Sequence, residues 1–416
     1  MSPLEASLLS DARMVAAYLI FAGSYVVFAL GRFPRMKIDR PGAAIIGAVL
    51  MVAFRIVGAR EALSSIDFAT VVLLFSMMLI VANLKLGGFF DWITDAAIAR
   101  LHPRHLLPVV VFTSGVLSAF LVNDIVCLVM TPFVLHLAGR LRRPPVPYVL
   151  AVALASNAGS TATITGNPQN MLIGSLSGIS YLRFLVELGP VALVGLAVTW
   201  TTLHVMYLRG GADDVTVADA ARKTPRGRVQ RKPIVVLVVV LGGFLAGVPA
   251  PLMAAVGAAA LLITRTVEPR HVYEDVDWGL LVFFIGLFVI VGGAERAGLT
   301  RALLDPIAAW KLHRLVLFVP ATALLSNVVS NVPAVMLLRT VVSRFPDPHT
   351  GWMALAMAST LAGNLTITGS VANIIVVERA AAGGVRIGFG DYARVGIPVT
   401  VATLVIGSAW LALISG

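Results

Sequence analysis

Apolar runs separated by short polar turns fill almost the whole chain, and their lengths predict helices in a lipid bilayer. In the first half the runs fall at 14–30, 41–57, 68–84, 106–121, 125–138, 146–159, 171–178 and 184–208. In the second half they fall at 234–247, 251–264, 278–294, 315–329, 333–342, 353–363, 374–378 and 395–413. A helix needs ~20 apolar residues to cross the hydrocarbon layer, and several of these runs are well short. Short runs in pairs predict broken spans, or hairpins that enter and leave on one side. Hairpins are expected at 106–138, tipped by Val122, Asn123 and Asp124, and at 315–342, tipped by Ser330, Asn331, Val332 and Pro333. Broken spans are expected at 146–178 and 353–378.

The polar interruptions repeat. Residues 155–170 read ASNAGSTATITGNPQN and residues 358–373 read ASTLAGNLTITGSVAN. One offset of 203 residues superposes Ser156 on Ser359, Thr163 on Thr366, Thr165 on Thr368, Gly166 on Gly369 and Asn170 on Asn373. Asn123 and Asn331 superpose at an offset of 208. The chain is therefore an internal duplication: a first repeat over 1–208 with scaffold helices in 14–84, a polar linker at 209–232, and a second repeat over 233–416 with scaffold helices in 234–294. Each repeat holds five crossings and one hairpin, an odd number that turns the second repeat upside down. The fold expected is an all-α polytopic membrane protein of about ten transmembrane helices in two inverted repeats. In that arrangement secondary transporters place substrate and ion sites near the midplane.

Composition agrees. With 58% hydrophobic and 13% charged residues and a mean hydropathy of +0.91, the chain does not have the surface chemistry of a soluble globular protein. The formal charge of +11 would suggest nucleic acid in a soluble protein. Here it does not, because Lys and Arg cluster in short loops between apolar runs. Placing the N-terminus outside puts Arg32, Arg35, Lys37 and Arg40, then Arg140, Arg142 and Arg143, then the basic linker, in the cytoplasm. Both termini are then outside a cell inner membrane, the first hairpin opens from the cytoplasm and the second from outside. The run at 14–30 follows Glu5 and Asp11 without a basic leader region, so it is expected to be a retained span.

Candidate chemistry lies at the breaks. A broken helix exposes N–H groups and partial positive charge at one half-helix start, and carbonyls at the opposing end. Thr163, Thr165, Asn167, Thr366, Thr368 and Ser370 set hydroxyl and amide groups beside those ends, with Ser160 and Asn364 in the same set. Such neutral groups can hold Na⁺ or hydrogen-bond an oxyanion. Gly166 and Gly369 permit the break, and Pro168 stops the helix running through it. Asn170 and Asn373 are expected to bond exposed backbone, and Asn123 and Asn331 to do so at the hairpin tips. The plainer reading is that such residues join helices; their duplication on two broken segments favours a site.

Asp124 is the one acid placed well inside the bilayer, where a carboxylate is costly unless it has a purpose. It can carry a proton or help coordinate an ion, or cap the hairpin tip; its counterpart is Val332. Cys127, one turn on, could meet a thiophilic substrate but reads as a small apolar residue. His102 and His105 sit in a basic interfacial stretch and make a poor metal site. Stretches 89–101 and 299–310 read as flat interfacial helices, and Arg183 can pair with Glu187. No HExxH or G-x-S-x-G motif suggests an enzyme, and no cofactor is called for beyond a coupling ion, H⁺ or Na⁺. A sodium/proton antiporter is the alternative carrier; an ion channel could also be built from broken helices.

The tips VNDIVCLVMTP and SNVVSNVPAVM and the breaks SNAGSTATITGNPQN and GNLTITGSVAN resemble those of the ion-transporter superfamily. This group holds arsenite permeases, NhaD-type antiporters, divalent-anion/sodium symporters and citrate-transporter-like permeases. The resemblance covers nearly the whole chain. It implies an elevator-type carrier, usually a homodimer, whose hairpins and broken helices move against a scaffold. The matching residues are Asn123, Asp124, Thr163, Thr165, Gly166, Asn167 and Asn170 in the first repeat. In the second they are Ser330, Asn331, Thr366, Thr368, Gly369 and Asn373. The dicarboxylate symporters carry Ser-Asn-Thr at both tips; Val-Asn-Asp and Ser-Asn-Val stand here, closer to the arsenite-permease pattern. The substrate expected is a small anion or oxyacid, with arsenite the leading candidate.

Overall fold

The computed structural model describes residues 3–31, 38–93, 105–207, 229–264, 267–299 and 311–415. The regular elements among them are helical. The first half runs α1 (Pro3–Leu30), α2 (Arg40–Ala53), α3 (Ala59–Ser65), α4 (Phe68–Leu86), α5 (Leu106–Phe120), α6 (Asn123–Arg140), α7 (Val146–Ser160), α8 (Pro168–Ser177) and α9 (Tyr181–Tyr207). The second half runs α10 (Arg231–Leu245), α11 (Ala250–Thr264), α12 (Pro269–Glu274), α13 (Trp278–Arg296), α14 (Leu315–Val329), α15 (Asn331–Val342), α16 (Pro348–Leu361), α17 (Val371–Ala382) and α18 (Phe389–Ile414). After the first helix, 28 residues in α1 and 15 in α10, the same order of short, long and broken elements occurs in both halves. Among the described residues five helices, α1, α4, α9, α13 and α18, are long and apolar enough to cross a membrane, and α4 and α13 are the most buried of them. At 1.5 Å per residue, a helix of their length spans roughly the ~30 Å hydrocarbon layer.

Local sequence explains where these helices begin. Asp67 and Asp277 close α4 and α13 from equivalent positions, accepting from the amides of Thr70 (3.1 Å) and Leu280 (2.9 Å). Asp39 does the same for α2 through Gly42 (2.9 Å), and proline occupies the first turns of α2, α7, α8 and α16. Each cap replaces a hydrogen bond that the helix start lacks.

The halves interlock crosswise. α2 packs on α13 and α11 packs on α4. A Cβ on Gly47 of α2 would come within 2.6 Å of Ile290 in α13, and one on Gly257 of α11 within 3.4 Å of Ile80 in α4. Both pairs are related by the same offset of 210 residues. Exchange of equivalent partners is the signature of a twofold relation. The hairpins are the pairs α5/α6 and α14/α15, joined at Leu121–Val122 and at Ser330, whose φ of +77° is uncommon outside glycine.

Some expectations need adjustment. The last two residues of the expected linker, Arg231 and Lys232, belong to α10. Residues 208–228, and most of the stretches read as interfacial helices, lie outside the described residues.

Candidate functional site

Both broken spans are built the same way. After α7, and after α16 with an extra 3₁₀ turn at Ala362–Asn364, the chain leaves the helix, and Thr163 and Thr366 adopt extended conformations with φ −138° in each case and ψ 161° and 162°. A single 3₁₀ turn follows, at Ile164–Gly166 and Ile367–Gly369, before α8 and α17 resume. Asn170 Nδ2 donates to the carbonyls of Ser160 and Thr163, both at 3.0 Å. Asn373 Nδ2 donates to the equivalent carbonyls of Gly363 (2.6 Å) and Thr366 (3.0 Å). Each asparagine therefore satisfies the backbone that its break exposes, as expected from the sequence. At Gly166 a Cβ would lie 2.2 Å from the Ser160 carbonyl, which only glycine avoids.

The two breaks meet at Asn157. Its Nδ2 donates to Asn364 Oδ1 and Asn373 Oδ1, both at 2.9 Å, and its Oδ1 accepts from Asn123 Nδ2 (3.3 Å) and Ser370 Oγ (3.1 Å). The reciprocal junction is Thr360, whose hydroxyl accepts from Asn167 Nδ2 (3.2 Å) and Gln169 Nε2 (3.3 Å) and donates to Asn170 Oδ1 (3.3 Å). Each repeat thus holds the other's break. At the tips the expected backbone bonding is found only in part. Asn123 pairs with the side chain of Asn157 instead, because α7 presents that amide directly beside the tip. Asn331, with its amide nitrogen turned toward them, reaches the carbonyls of Ser359 and Gly369, each at 3.2 Å.

Between these elements lies a cavity of ≈190 Å³. One wall carries Asn123 and Asp124 from the first tip, and Ser330, Asn331 and Val332 from the second. The same wall carries Pro168 and Gln169 from the start of α8, and Ser370 and Val371 from the start of α17. Two half-helix N-termini therefore face it, each with partial positive charge; the first turn of α17 has no side-chain cap, whereas at α8 Pro168 has no N–H and Asn167 Oδ1 takes that of Asn170 (2.9 Å). Asn123 is buried, and its Oδ1 has no hydrogen-bond partner among the described residues. The opposite wall is scaffold: Arg40 and Pro41 from α2, and Asp277, Gly279, Leu280 and Phe283 from α13.

The threonines of the breaks do not line this cavity. Thr163 donates to the Ala119 carbonyl, and Thr165 shares a 2.8 Å hydrogen bond with the Tyr181 hydroxyl; both threonines are fully buried. Thr366 donates to Asn327 Oδ1 at 3.0 Å, and Thr368 is exposed beside it. Ser160, Asn167 and Asn364 hold the breaks together, and Cys127 is buried in the core. Arg183 pairs with Glu187 at 2.8 Å, and Glu187 also meets His349 at 2.7 Å.

Three contributors escaped the sequence reading. Asp124 does not stand alone, since Asp277 faces the same cavity; a helix-capping Asp just before an apolar run gave no sign of this. Arg40 read as an orientation charge. Asn157 was passed over because its repeat mate is Thr360, which breaks the duplicated pattern.

Comparison with known proteins fits this architecture. The citrate transporter family model matches residues 25–360. A silicon efflux transporter of Oryza sativa subsp. japonica is 30% identical over 96% of this chain and 98% of its own length. A 46 kDa membrane protein of Mycobacterium leprae is 30% identical over 95% and 98%, respectively. A putative transporter of Dictyostelium discoideum designated arsB is 26% identical over 91% and 88%. The crystal structure of the Alcanivorax borkumensis YdaH transporter superposes with a TM-score of 0.58 at 15% identity, covering 97% of this chain and 98% of that one, a likeness of fold. With its helical membrane architecture and a family match over most of its length, the chain belongs to the citrate transporter family of membrane transporters.

Proposed function

We propose that the chain is a secondary active transporter that moves a small oxyacid, arsenite-like in its chemistry, across the cytoplasmic membrane, with Asp124 as the group that couples transport to H⁺ in preference to Na⁺. The observation that supports this reading is the cavity. Both hairpin tips and both half-helix starts converge on it, so any shift of hairpins against scaffold changes access to it. Its charged residues are two carboxylates, Asp124 and Asp277, against one guanidinium, Arg40. A multiply charged anion meets net repulsion there. A neutral or singly charged oxyacid, with O–H donors for the carboxylates of Asp124 and Asp277 and oxygens for Arg40 and the start of α17, matches this lining. The rice relative is a silicon efflux transporter, which supports a small inorganic substrate. In the same reading the protein is a carrier and not a catalyst, works as a homodimer, and keeps both termini outside. The facing carboxylates also favour a second reading, cation/proton exchange.

The test is arsenite accumulation in cells stripped of their own exporters, comparing wild type with Asp124→Asn at equal expression. Lower accumulation with the wild type alone supports proton-driven efflux through Asp124. Equal accumulation contradicts it and moves the weight to anion uptake or cation/proton exchange.

A further inference from the structure

The cavity meets the scaffold on one side only, and the twofold relation of the halves defines what it would meet on the other. Asp67 and Asp277 precede α4 and α13 with matching backbones, φ −78° in both and ψ 89° and 82°. Their surroundings differ. Asp67 accepts a 3.0 Å hydrogen bond from Ser175 of α8, whereas Asp277 faces the cavity. The second hairpin is bonded to the scaffold at two places. Tyr25 donates to the Pro333 carbonyl at 3.2 Å, and Arg339 pairs with Glu295 at 2.6 Å. Exchanging the roles of the repeats carries the cavity from the starts of α2 and α13 to the starts of α11 and α4.

The offset of 210 residues reads off the second wall. Pro41 is replaced by Pro251 and Asp277 by Asp67, but Arg40 is replaced by Ala250 and Phe283 by Leu73. The cation exists on one side only. Arg40 is also anchored. Its Nε donates to the Phe28 carbonyl at 3.0 Å, which fixes the guanidinium plane and leaves the terminal nitrogens for the cavity.

We propose that Arg40 is a specificity-determining residue that hydrogen-bonds the substrate from the scaffold in one access state and is missing from the other, so that the site binds an oxyacid more tightly at the membrane face where α2 begins. The proposal rests on the transporter reading above. It supplies what an exporter requires, capture on one face and release on the other, without any change in the moving wall.

The test uses the full-length protein in inside-out and right-side-out vesicles, with arsenite as the probe. Arg40→Ala is expected to raise the half-saturating concentration roughly tenfold at the face where α2 begins, the loss typical of one charge-assisted hydrogen bond, with little change at the other face. Arg40→Lys recovers part of the loss, and Ala250→Arg tightens the opposite face. Equal changes at both faces, or none, overturn the proposal. If wild type carries no arsenite, the functional reading fails, and the two-wall geometry is decided by cross-linking in a Cys127→Ser background. Gln169→Cys is then paired with Arg40→Cys or with Ala250→Cys and treated with a short bifunctional maleimide. Cross-linking of both pairs, each in a separate fraction of molecules, supports it; cross-linking of the Arg40 pair alone refutes it.

Discussion

Asn157 uses its whole hydrogen-bonding capacity, two donors and two acceptor positions, to tie the first break to the second and to the first hairpin tip. Replacing it by Leu strands the buried oxygens of Asn364 and Asn373 and the donors of Ser370 and Asn123. We expect Asn157→Leu to cost roughly 3 kcal/mol or more, read as a lowered thermal midpoint in detergent; an unchanged midpoint would show that the junction is incidental. Asp347 is a simpler case. It caps α16 through the Thr350 hydroxyl (2.7 Å) and the amides of Thr350 and His349 (3.1 Å each). The Thr350 hydroxyl bond is the main cause that holds its carboxyl below the ordinary value, helped by those amides and opposed by slight burial. A lowered carboxyl stabilises above the unfolded-state pKa and loses that contribution as pH falls through the folded one. Asp347→Ala should therefore cost about 1 kcal/mol at neutral pH and nothing once the carboxyl is protonated, a difference that thermal unfolding at the two pH values measures. The backbone role of the symmetric pair Asn170 and Asn373 was legible, whereas the roles of the equally symmetric threonines were not. Roles were hidden too where the mates differ, as for Asn157 with Thr360 and Arg40 with Ala250.

The elements were largely visible in the sequence, because a broken span has a length signal and a composition signal at once. Runs too short for a bilayer and glycine beside threonine placed both breaks, and the tips fell where the apolar runs paused. What the pattern could not give was the partner of each polar group, since hydroxyls that seal a break and hydroxyls that line a site look alike in one dimension. Thr165 and Thr368 are equivalent in sequence, yet Tyr181 covers the first while the second is exposed. Helix spacing is set by glycine. A Cβ at Gly159 of α7 would stand 2.1 Å from the Gly115 carbonyl of α5, and backbone on both sides leaves no side chain to yield. Gly159→Ala should then separate the hairpin from the broken span and reduce the yield of monodisperse protein several-fold. Gly139→Ala, with open space at its Cβ, should not. Equal yields of the two variants in size-exclusion profiles would contradict the close packing.

At the scale of the whole molecule, a twofold scaffold and a reciprocal pair of junctions surround a cavity that is not itself symmetric. Asp124 has Val332 as its counterpart in the other repeat, and Arg40 has Ala250, so neither charge is duplicated. Symmetry supplies two related states, and the unpaired charges give them different chemistry. The duplication was readable from the sequence, but the meeting of scaffold and tips was not, because Arg40 and Asp277 lie far from the tip motifs along the chain. Flux in proteoliposomes under imposed gradients is the measurement to make. A proton gradient should drive arsenite accumulation by the wild type, a sodium gradient should not, and Asp124→Asn should keep arsenite exchange while losing accumulation. Accumulation by Asp124→Asn equal to that of the wild type would contradict the role given to this carboxylate, and accumulation driven by sodium alone would contradict proton coupling.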